Sequence, residues 1–391
     1  LKTGVLESTL KNKYKFGYEY SDCWVDDSRL VILNAVDAAK NGAKLQNYTK
    51  VTKVTKSDGI WLITTTDSID NTQNTIKAKS FINASGPWVD DVLQESFSNK
   101  NTKNVRLVRG SHIVVNKLYD HDKSFICQND DGRIFFMIPY EDKFTLIGTT
   151  DIDHGRSASE VEISEEEKQY ICDSANAYLN SEIKLSDIVW SYSGVRPLYD
   201  DGASKAQEAT RDYVIKAEEH DSSLMINIFG GKITTYRRLS EAILKHIETF
   251  LGQRGNPWTD NSSLPGGDFD VDGLFDLNNK IQEKYPFLNE EIVKRLVRSY
   301  GTVSFDIFAS AKNIESLGES FGSGLYEKEV VYLVQNEWAR TSEDILFRRS
   351  KLGLSLTKNE KQKLDKFLEN YQKLCKTSES SVKQDNIVET V

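Results

Sequence analysis

The stretch "SLMINIFGGKITTYRRLSEAILKHI", residues 223–247, decides the fold class. An apolar run with the character of a buried strand passes through two glycines and a lysine into an amphipathic helix. Such a strand-to-helix turn is typical of α/β proteins, and it directs backbone N–H groups and the positive helix end outward. We therefore expect this turn to face a group bound at the surface of an α/β body.

Three other apolar stretches also run into small residues, which makes four in total with the 227–237 turn "NIFGGKITTYR". Small residues at strand ends let a flat cofactor lie against the backbone. A single such end is an ordinary turn, whereas four in one α/β body favour a cofactor-binding face. The other three are "FINASGPWVDD" (81–91), "LIGTTD" (146–151) and "YSGVRPL" (192–198).

Composition limits the kind of partner. The 391 residues are enough for two or three domains, and the net charge of −9 argues against a nucleic-acid binder that works through bulk positive charge. A bound anion must therefore be held by a local cluster of cations. The four cysteines and five histidines have no zinc-ligand spacing, so we expect no metal and a reducing cytosolic environment. No apolar run reaches the length of a membrane span.

Periodicity predicts helices over 26–42 and 162–179 and strands within 106–151. It also predicts a meander of three strands within 44–86, the third of which runs through "NTIKAKSFINASG" (74–86). The segments that follow the Pro-Gly-Gly sequence at 265–267 have helical periodicity. One carries an apolar stripe from Ile292 to Tyr300, and the last opens with Thr357 and Glu360 at the spacing of a capping box. We therefore predict a first domain over 1–264 with a cap at approximately 100–200, a helical domain over 265–375 and a disordered tail over 376–391.

Three cations border apolar strands in this acidic chain: Arg196, Arg211 and Lys232. A phosphate monoester carries about −1.5 to −2 charges at pH 7 and needs several donors, which such a cluster would supply. The alternative for each arginine is an ion pair with a nearby acid. His112 is the histidine closest to a strand, and it is either a structural group or a catalyst.

At this point a family pattern is recognisable. The chain resembles the FAD-dependent glycerol-3-phosphate dehydrogenases, and most closely the aerobic bacterial ones. The shared motifs occur in the same order as in that family, from about residue 17 to about residue 354. The "GVRPL" and "FGGKITTYR" motifs are the most specific. The others are "GYEYSDCWVDDSRLV", "FINASGPWVDD", "VRLVRGSHIVV", "FTLIGTTD", "DIVWSYSGVRPL", "TRDYVI" and "YGTVSFDI".

The resemblance implies a flavoprotein fold like that of glycine and D-amino-acid oxidases, with a β-sheet substrate cap and a C-terminal helical domain. It implies oxidation of sn-glycerol 3-phosphate to dihydroxyacetone phosphate in glycerol catabolism, with electrons passed to a membrane quinone. It also implies peripheral attachment to the cytoplasmic face of the cell membrane, and it leaves a homodimer open. The alternatives are an oxygen-dependent glycerophosphate oxidase and a non-catalytic remnant.

The resemblance also assigns site residues. Arg196, Arg211 and Lys232 match substrate-binding cations, and His112 matches a histidine at the same site. We expect His112, or water, to take the hydroxyl proton, with Arg196 and Lys232 beside the reacting group. The residues that match flavin contacts are Ala84, Ser85, Gly86, Gly230, Gly231, Lys232, Ile233 and Thr234.

One family feature is missing from the sequence. The 391 residues contain no strand–GxGxxG–helix unit of the kind that holds the FAD pyrophosphate. We therefore expect the chain to correspond to roughly the C-terminal two-thirds of such an enzyme and to bind FAD only weakly by itself.

Overall fold

The computed structural model describes residues 8–97, 103–155, 157–200 and 212–385. The helices in this part of the chain are α1 (Asp27–Lys40), α2 (Val89–Phe97), α3 (Glu165–Tyr178), α4 (Tyr236–Leu251), α5 (Leu274–Lys284), α6 (Glu290–Tyr300), α7 (Ser304–Phe308), α8 (Glu327–Asn336) and α9 (Lys358–Asp385). The strands are β1 (Thr49–Ser57), β2 (Ile60–Asp67), β3 (Gln73–Ala78), β4 (Ser80–Asn83), β5 (Val105–Asn116), β6 (Phe125–Gln128), β7 (Ile134–Tyr140), β8 (Phe144–Gly148), β9 (Ile152–Asp153), β10 (Ile188–Tyr199), β11 (Tyr213–His220) and β12 (Ser223–Gly230).

The chain divides into two compact units. The first comprises Leu1–Ser21 and Tyr48–Thr259, and the second comprises Asp22–Asn47 and Asp260–Val391. All the described strands lie in the first unit, whereas the second unit is helical. The predicted change from an α/β body to helices near residue 265 is therefore observed, but the 22–47 segment, predicted within the first domain, belongs to the second unit.

An antiparallel sheet with the strand order β10-β5-β8-β7-β6 forms much of the first unit, and β9 pairs with β5. Helix α3 covers one face, where alternate residues such as Ile113 and Met137 pack against Ile171 and Cys172. Helix α3 begins at Glu165, within the segment predicted as a helix over 162–179, because Ser164 and Glu167 form a capping box. This sheet occupies the region predicted as the substrate cap, and we name it the cap sheet.

A second sheet places β12 between two partners, antiparallel β11 and parallel β4. The predicted meander over residues 44–86 is correct for β1, β2 and β3, but the sequence prediction of one continuous third strand is wrong. The strand is interrupted at Lys79. Beyond it, β4 joins β12, because Phe81 and Asn83 pair with Met225 and Asn227. Helix α4 packs on this sheet through apolar residues such as Leu239 and Ile243.

The sequence analysis expected the stretch "YSGVRPL" to end a strand, but the structure differs. The stretch lies inside β10, which pairs with β5 from Ile188 to Tyr199. Pro197 is tolerated there because β10 is the edge strand of the cap sheet and needs no further ladder partner. "LIGTTD" does follow a strand end, since β8 ends at Gly148.

The second unit has its own apolar core. The predicted stripe of α6 is buried in it from Ile292 to Tyr300, and α9 adds Leu364 and Leu368. Helix α9 begins with the predicted reciprocal hydrogen bonds between Thr357 and Glu360. Helix α9 extends to Asp385, into the tail predicted to be disordered from residue 376, and the remaining residues 386–391 lie outside the described part of the chain.

Helix α1 joins the second unit through a buried arginine. Two Arg29 guanidinium nitrogens donate to the Glu337 carboxylate at 2.6 and 3.0 Å, and Nε donates to the Ser299 carbonyl at 2.9 Å. Arg29 and Glu337 are 4% and 1% exposed. The ring of Tyr300 also lies against the guanidinium, with 4.8 Å from Arg29 Cζ to the ring centroid. This ion pair explains why the 22–47 segment groups with the helical unit.

Within the described residues, no helix is both long enough and apolar enough to cross a bilayer.

Candidate active site

The cap sheet brings His112 and Arg196 to the face opposite α3. His112 on β5 lies opposite Gly148 of β8 and Tyr192 of β10. Arg196 lies on the same side of β10 as Tyr192, four residues further along the strand. Tyr192, Gly194 and Arg196 are exposed, whereas their neighbours along β10 are partly buried. The cap sheet therefore has one open face, and it carries two of the residues predicted from the sequence.

The His112 ring lies between two neighbouring strands. It stacks on the Tyr192 ring with 5.0 Å between centroids and 10° between planes. On the other side Gly148 leaves room for it, since a Cβ at that position would lie 2.3 Å from His112 Cδ2. A side chain at residue 148 would displace the imidazole.

Arg196 forms an ion pair with Asp151 and approaches Thr149 Oγ1 at 3.5 Å. Its guanidinium lies over Gly110, where an added Cβ would be 2.9 Å from Nη2. The ion pair that the sequence analysis weighed as an alternative is thus present. Because Arg196 is still 44% exposed, it also remains open to a ligand.

The positive charge of Arg196 reaches His112. The pKa of His112 is lowered to about 4, chiefly because the ring is buried and secondly because Arg196 opposes its protonation. His112 is therefore neutral at pH 7, and it acquires a proton only in acid.

This shift predicts a pH dependence of stability. An unfolded chain protonates its histidines near pH 6.5, whereas folded His112 stays neutral down to about pH 4. The His112 contribution to the free energy of unfolding is therefore complete above pH 6.5 and is lost as the pH falls toward 4. His112→Gln should flatten the stability loss in this window, measured by denaturant titration at several pH values. The exposed His246 provides the control, and an unchanged slope in His112→Gln would contradict the assignment.

The predicted turn after β12 lies beside the strand that carries Arg196. Gly230 has φ 71°, and an added Cβ would be 2.9 Å from the Asp212 carbonyl oxygen and 3.6 Å from that of Pro197. Glycine is therefore required there both for the backbone conformation and for the close approach. The residues that follow, Gly231–Thr234, are exposed, and the Lys232 side chain makes no hydrogen bond or ion pair within the described part of the chain.

The turn after β4 lies at the same edge of the same sheet. Asn83 donates to the Asn227 side chain at 3.1 Å and to the Val89 carbonyl at 3.1 Å, and Ser85 Oγ donates to Asn83 at 2.6 Å. This buried amide pair joins β4 to β12 and holds the turn that starts at exposed Ala84.

The two turns fit a flat cofactor. Because β4 and β12 are parallel, their carboxyl ends meet at one sheet edge, where open α/β sheets bind ligands. No atom would lie within 4 Å of a Cβ added at Gly86, and the Gly231–Thr234 backbone is exposed. Small residues and accessible backbone at adjacent strand ends are the features that a flavin ring requires.

The sequence analysis missed the polar network on the covered face. Glu167 is buried and accepts hydrogen bonds from Ser111 Oγ at 2.8 Å and Thr150 Oγ1 at 2.9 Å, and its ion pair with Arg109 measures 2.7 Å. Burial alone would raise the pKa of Glu167, but these hydrogen bonds and the Arg109 charge outweigh it, and the pKa is lowered. The Ser-x-x-Glu pattern that starts α3 was the available signal.

The remaining predicted cation, Arg211, lies outside the described residues. In the described part of the chain, no group of histidine, cysteine and carboxylate side chains could hold a metal ion.

Two family models match the chain. "FAD dependent oxidoreductase" matches residues 3–237, and "C-terminal domain of alpha-glycerophosphate oxidase" matches residues 257–382. The aerobic glycerol-3-phosphate dehydrogenase of Escherichia coli is 37% identical over 93% of this chain and 73% of its own length. The glycerol-3-phosphate dehydrogenase of Pseudomonas aeruginosa is 40% identical over 93% of this chain and 70% of its own length.

The chain belongs to the FAD-dependent glycerol-3-phosphate dehydrogenase family. Its cofactor is FAD, and the predicted flavoprotein fold is confirmed. The glycerol-3-phosphate dehydrogenase of Bacillus halodurans, solved with FAD, has a TM-score of 0.70 at 26% identity, over 88% of this chain and 72% of that one. Another relative in this dehydrogenase family is the D-erythritol 1-phosphate dehydrogenase of Brucella abortus, 40% identical over 92% of this chain and 72% of its own length.

Proposed function

We propose that this dehydrogenase oxidises sn-glycerol 3-phosphate at C2 to dihydroxyacetone phosphate. One observation supports this function above the others: the open face of the cap sheet presents a histidine and an exposed arginine beside the glycine turn of β12. The similarity to dehydrogenases named for this substrate gives further support.

The chain's own residues have separate roles in this proposal. Lys232 binds the substrate phosphate together with Arg211, because its ammonium group has no protein partner in the described part of the chain. Arg196, held by Asp151, reaches both the phosphate and the reacting hydroxyl. His112 contacts the hydroxyl at C2.

The cofactor contacts follow from the two turns. Ala84, Ser85 and Gly86 after β4, with the Gly230–Thr234 turn after β12, hold the flavin ring in this proposal. Bound FAD supplies the acceptor for the hydride that leaves C2. The 3₁₀ turn Ile233–Thr235 and α4 follow directly, and their backbone N–H groups favour negative charge at this edge.

We further propose that the electrons pass to a membrane quinone, with peripheral attachment to the cytoplasmic face of the membrane and a role in glycerol catabolism. Support for an acceptor other than oxygen comes from the relatives, which are named dehydrogenases rather than oxidases. Oxygen is the competing acceptor, because one of the two matching family models is named for the glycerophosphate oxidase. A soluble quinone analogue should sustain turnover without stoichiometric peroxide, whereas one peroxide per substrate oxidised would establish the oxidase.

D-Erythritol 1-phosphate is the second candidate substrate, because the relative named for it is 40% identical to this chain. Both compounds carry a secondary alcohol next to the phosphate-bearing carbon, so the same cations and histidine suit either. The two differ in the length of the polyol chain beyond the reacting carbon.

The test of the proposed function is anaerobic bleaching of the flavin absorbance in the purified protein supplied with excess FAD, which compensates for the weak binding expected of this chain. We expect rapid bleaching with sn-glycerol 3-phosphate and slow or no bleaching with glycerol, which lacks the phosphate. Faster bleaching with D-erythritol 1-phosphate would reassign the substrate, and bleaching with neither phosphate would contradict the proposal.

A further inference from the structure

The two ring nitrogens of His112 have different surroundings. Nδ1 is buried and has no hydrogen-bond partner among the described residues, and His112 is the one histidine there with such an atom. Nε2, in contrast, is not a buried atom without a partner. It lies at the accessible edge of the ring, toward the open face of the cap sheet. A ligand on that face can therefore reach Nε2 but not Nδ1.

The position of the ring is fixed by packing. Tyr192 stacks on one side, and the backbone of Gly148 lies on the other, where a Cβ would be 2.3 Å from Cδ2 and 3.0 Å from Nε2. Neither neighbour supplies an acceptor to Nδ1. Tyr192 and Gly148 are therefore positioning residues, which orient the imidazole without choosing its protonation state.

The environment of Nδ1 decides which nitrogen carries the proton. A neutral imidazole has one N–H donor and one lone pair, and the partner of one nitrogen normally sets the tautomer. A buried N–H group without an acceptor is rare in native proteins, whereas a buried lone pair is tolerated better. Among the described residues, the charged group that acts on the ring is Arg196 on β10, which is paired with Asp151, and its positive charge opposes a second proton.

We infer that His112 carries its single proton on Nε2 and donates a hydrogen bond from it to the substrate oxygen, and that it does not accept the hydroxyl proton. This inference rests on the proposed function. A base at Nε2 would need the opposite tautomer, and after taking the proton it would bury an unpartnered N–H beside a guanidinium. The hydroxyl proton passes to water on the open face, and the donor stabilises the oxygen as its negative charge grows.

The direct test is a long-range ¹H–¹⁵N correlation spectrum of the ¹⁵N-labelled protein at pH 7, with the His112 signals assigned by their loss in His112→Gln. We expect Nε2 to be protonated and Nδ1 to be unprotonated. His121 is an internal reference, because its Nδ1 accepts from the Lys123 backbone N–H at 3.2 Å and must be unprotonated. A proton on Nδ1, or a charged His112 ring, would overturn the inference whether or not the protein is active.

A pair of variants tests the role in catalysis. Glutamine offers an N–H donor but cannot take a proton, whereas leucine offers neither. We expect His112→Gln to keep kcat within roughly tenfold of the parent, and His112→Leu to lose a further tenfold or more. Equal losses in the two variants would overturn the donor role. Failure of both phosphates to bleach the parent protein would instead contradict the proposed function and leave the spectroscopic result standing.

Discussion

Glu337→Gln should cost the helical unit about 3–5 kcal/mol of unfolding free energy. The substitution preserves the shape of the side chain but removes the charge that faces Arg29, whose side chain is 4% exposed. The pKa of Arg29 stays raised in the parent, because although burial lowers it, the hydrogen bond and charge of Glu337 more than offset that effect. Without the Glu337 charge, the buried guanidinium keeps the Ser299 carbonyl and the Tyr300 ring but loses the carboxylate paired with it, and this cost exceeds that of losing one hydrogen bond.

This prediction is tested by measuring the unfolding free energy in denaturant and the hydrogen exchange of the α1 and α8 amides. The control is Glu290→Gln, which breaks the exposed Lys294–Glu290 pair on α6 and should change stability by less than about 0.5 kcal/mol. We expect amides of α1 and α8 to lose protection together in Glu337→Gln. Loss of protection in α8 alone would show that the ion pair does not anchor α1 to the helical unit.

Local patterns were enough to predict much of the fold. The stripe of α6 and the cap of α9 depend on residues within a few positions of each other, so periodicity and capping identify them. The place of α1 could not be predicted in this way. Its decisive contact joins Arg29 to Glu337, which is 308 residues away, and nothing local marks the two as partners.

The same distinction applies to the site. Small residues after apolar runs correctly predicted the turns at Gly86 and Gly230, and the motifs indicated His112 and Arg196. Sequence alone did not reveal that Tyr192 and Gly148 confine the imidazole, because these contacts depend on the register of β5 with its neighbours β8 and β10. The pairing of Arg196 with Asp151 likewise required the fold, since β8 and β10 are not adjacent in the chain.

Arg196→Ala should lower kcat/KM for sn-glycerol 3-phosphate roughly ten- to a hundredfold, because a charge-assisted contact contributes about 1.5–3 kcal/mol. Asp151, which is 30% exposed, would lose its partner and repel the phosphate, which adds to the loss. Glycerol has no phosphate and loses only the contact of Arg196 with the reacting hydroxyl, so its kcat/KM should fall less. The pKa of His112 should rise, because the nearby positive charge that helps to lower it would be gone.

Arg133→Ala is the matched control for this variant. Arg133 is 41% exposed, pairs with Asp131, and lies in the β6–β7 hairpin of the same sheet with its guanidinium over Tyr170 of α3. Its removal deletes a comparable arginine–aspartate pair on the covered side of the cap sheet. We expect Arg133→Ala to keep the parent's kcat/KM for both substrates.

The central claim is that the open face of the cap sheet binds and oxidises a polyol phosphate. The ratio of kcat/KM for sn-glycerol 3-phosphate to that for glycerol, measured in the parent, Arg196→Ala and Arg133→Ala, tests it most directly. We predict that the ratio falls at least about tenfold in Arg196→Ala and stays unchanged in Arg133→Ala. An equal loss of activity toward both substrates in Arg196→Ala would contradict the claim.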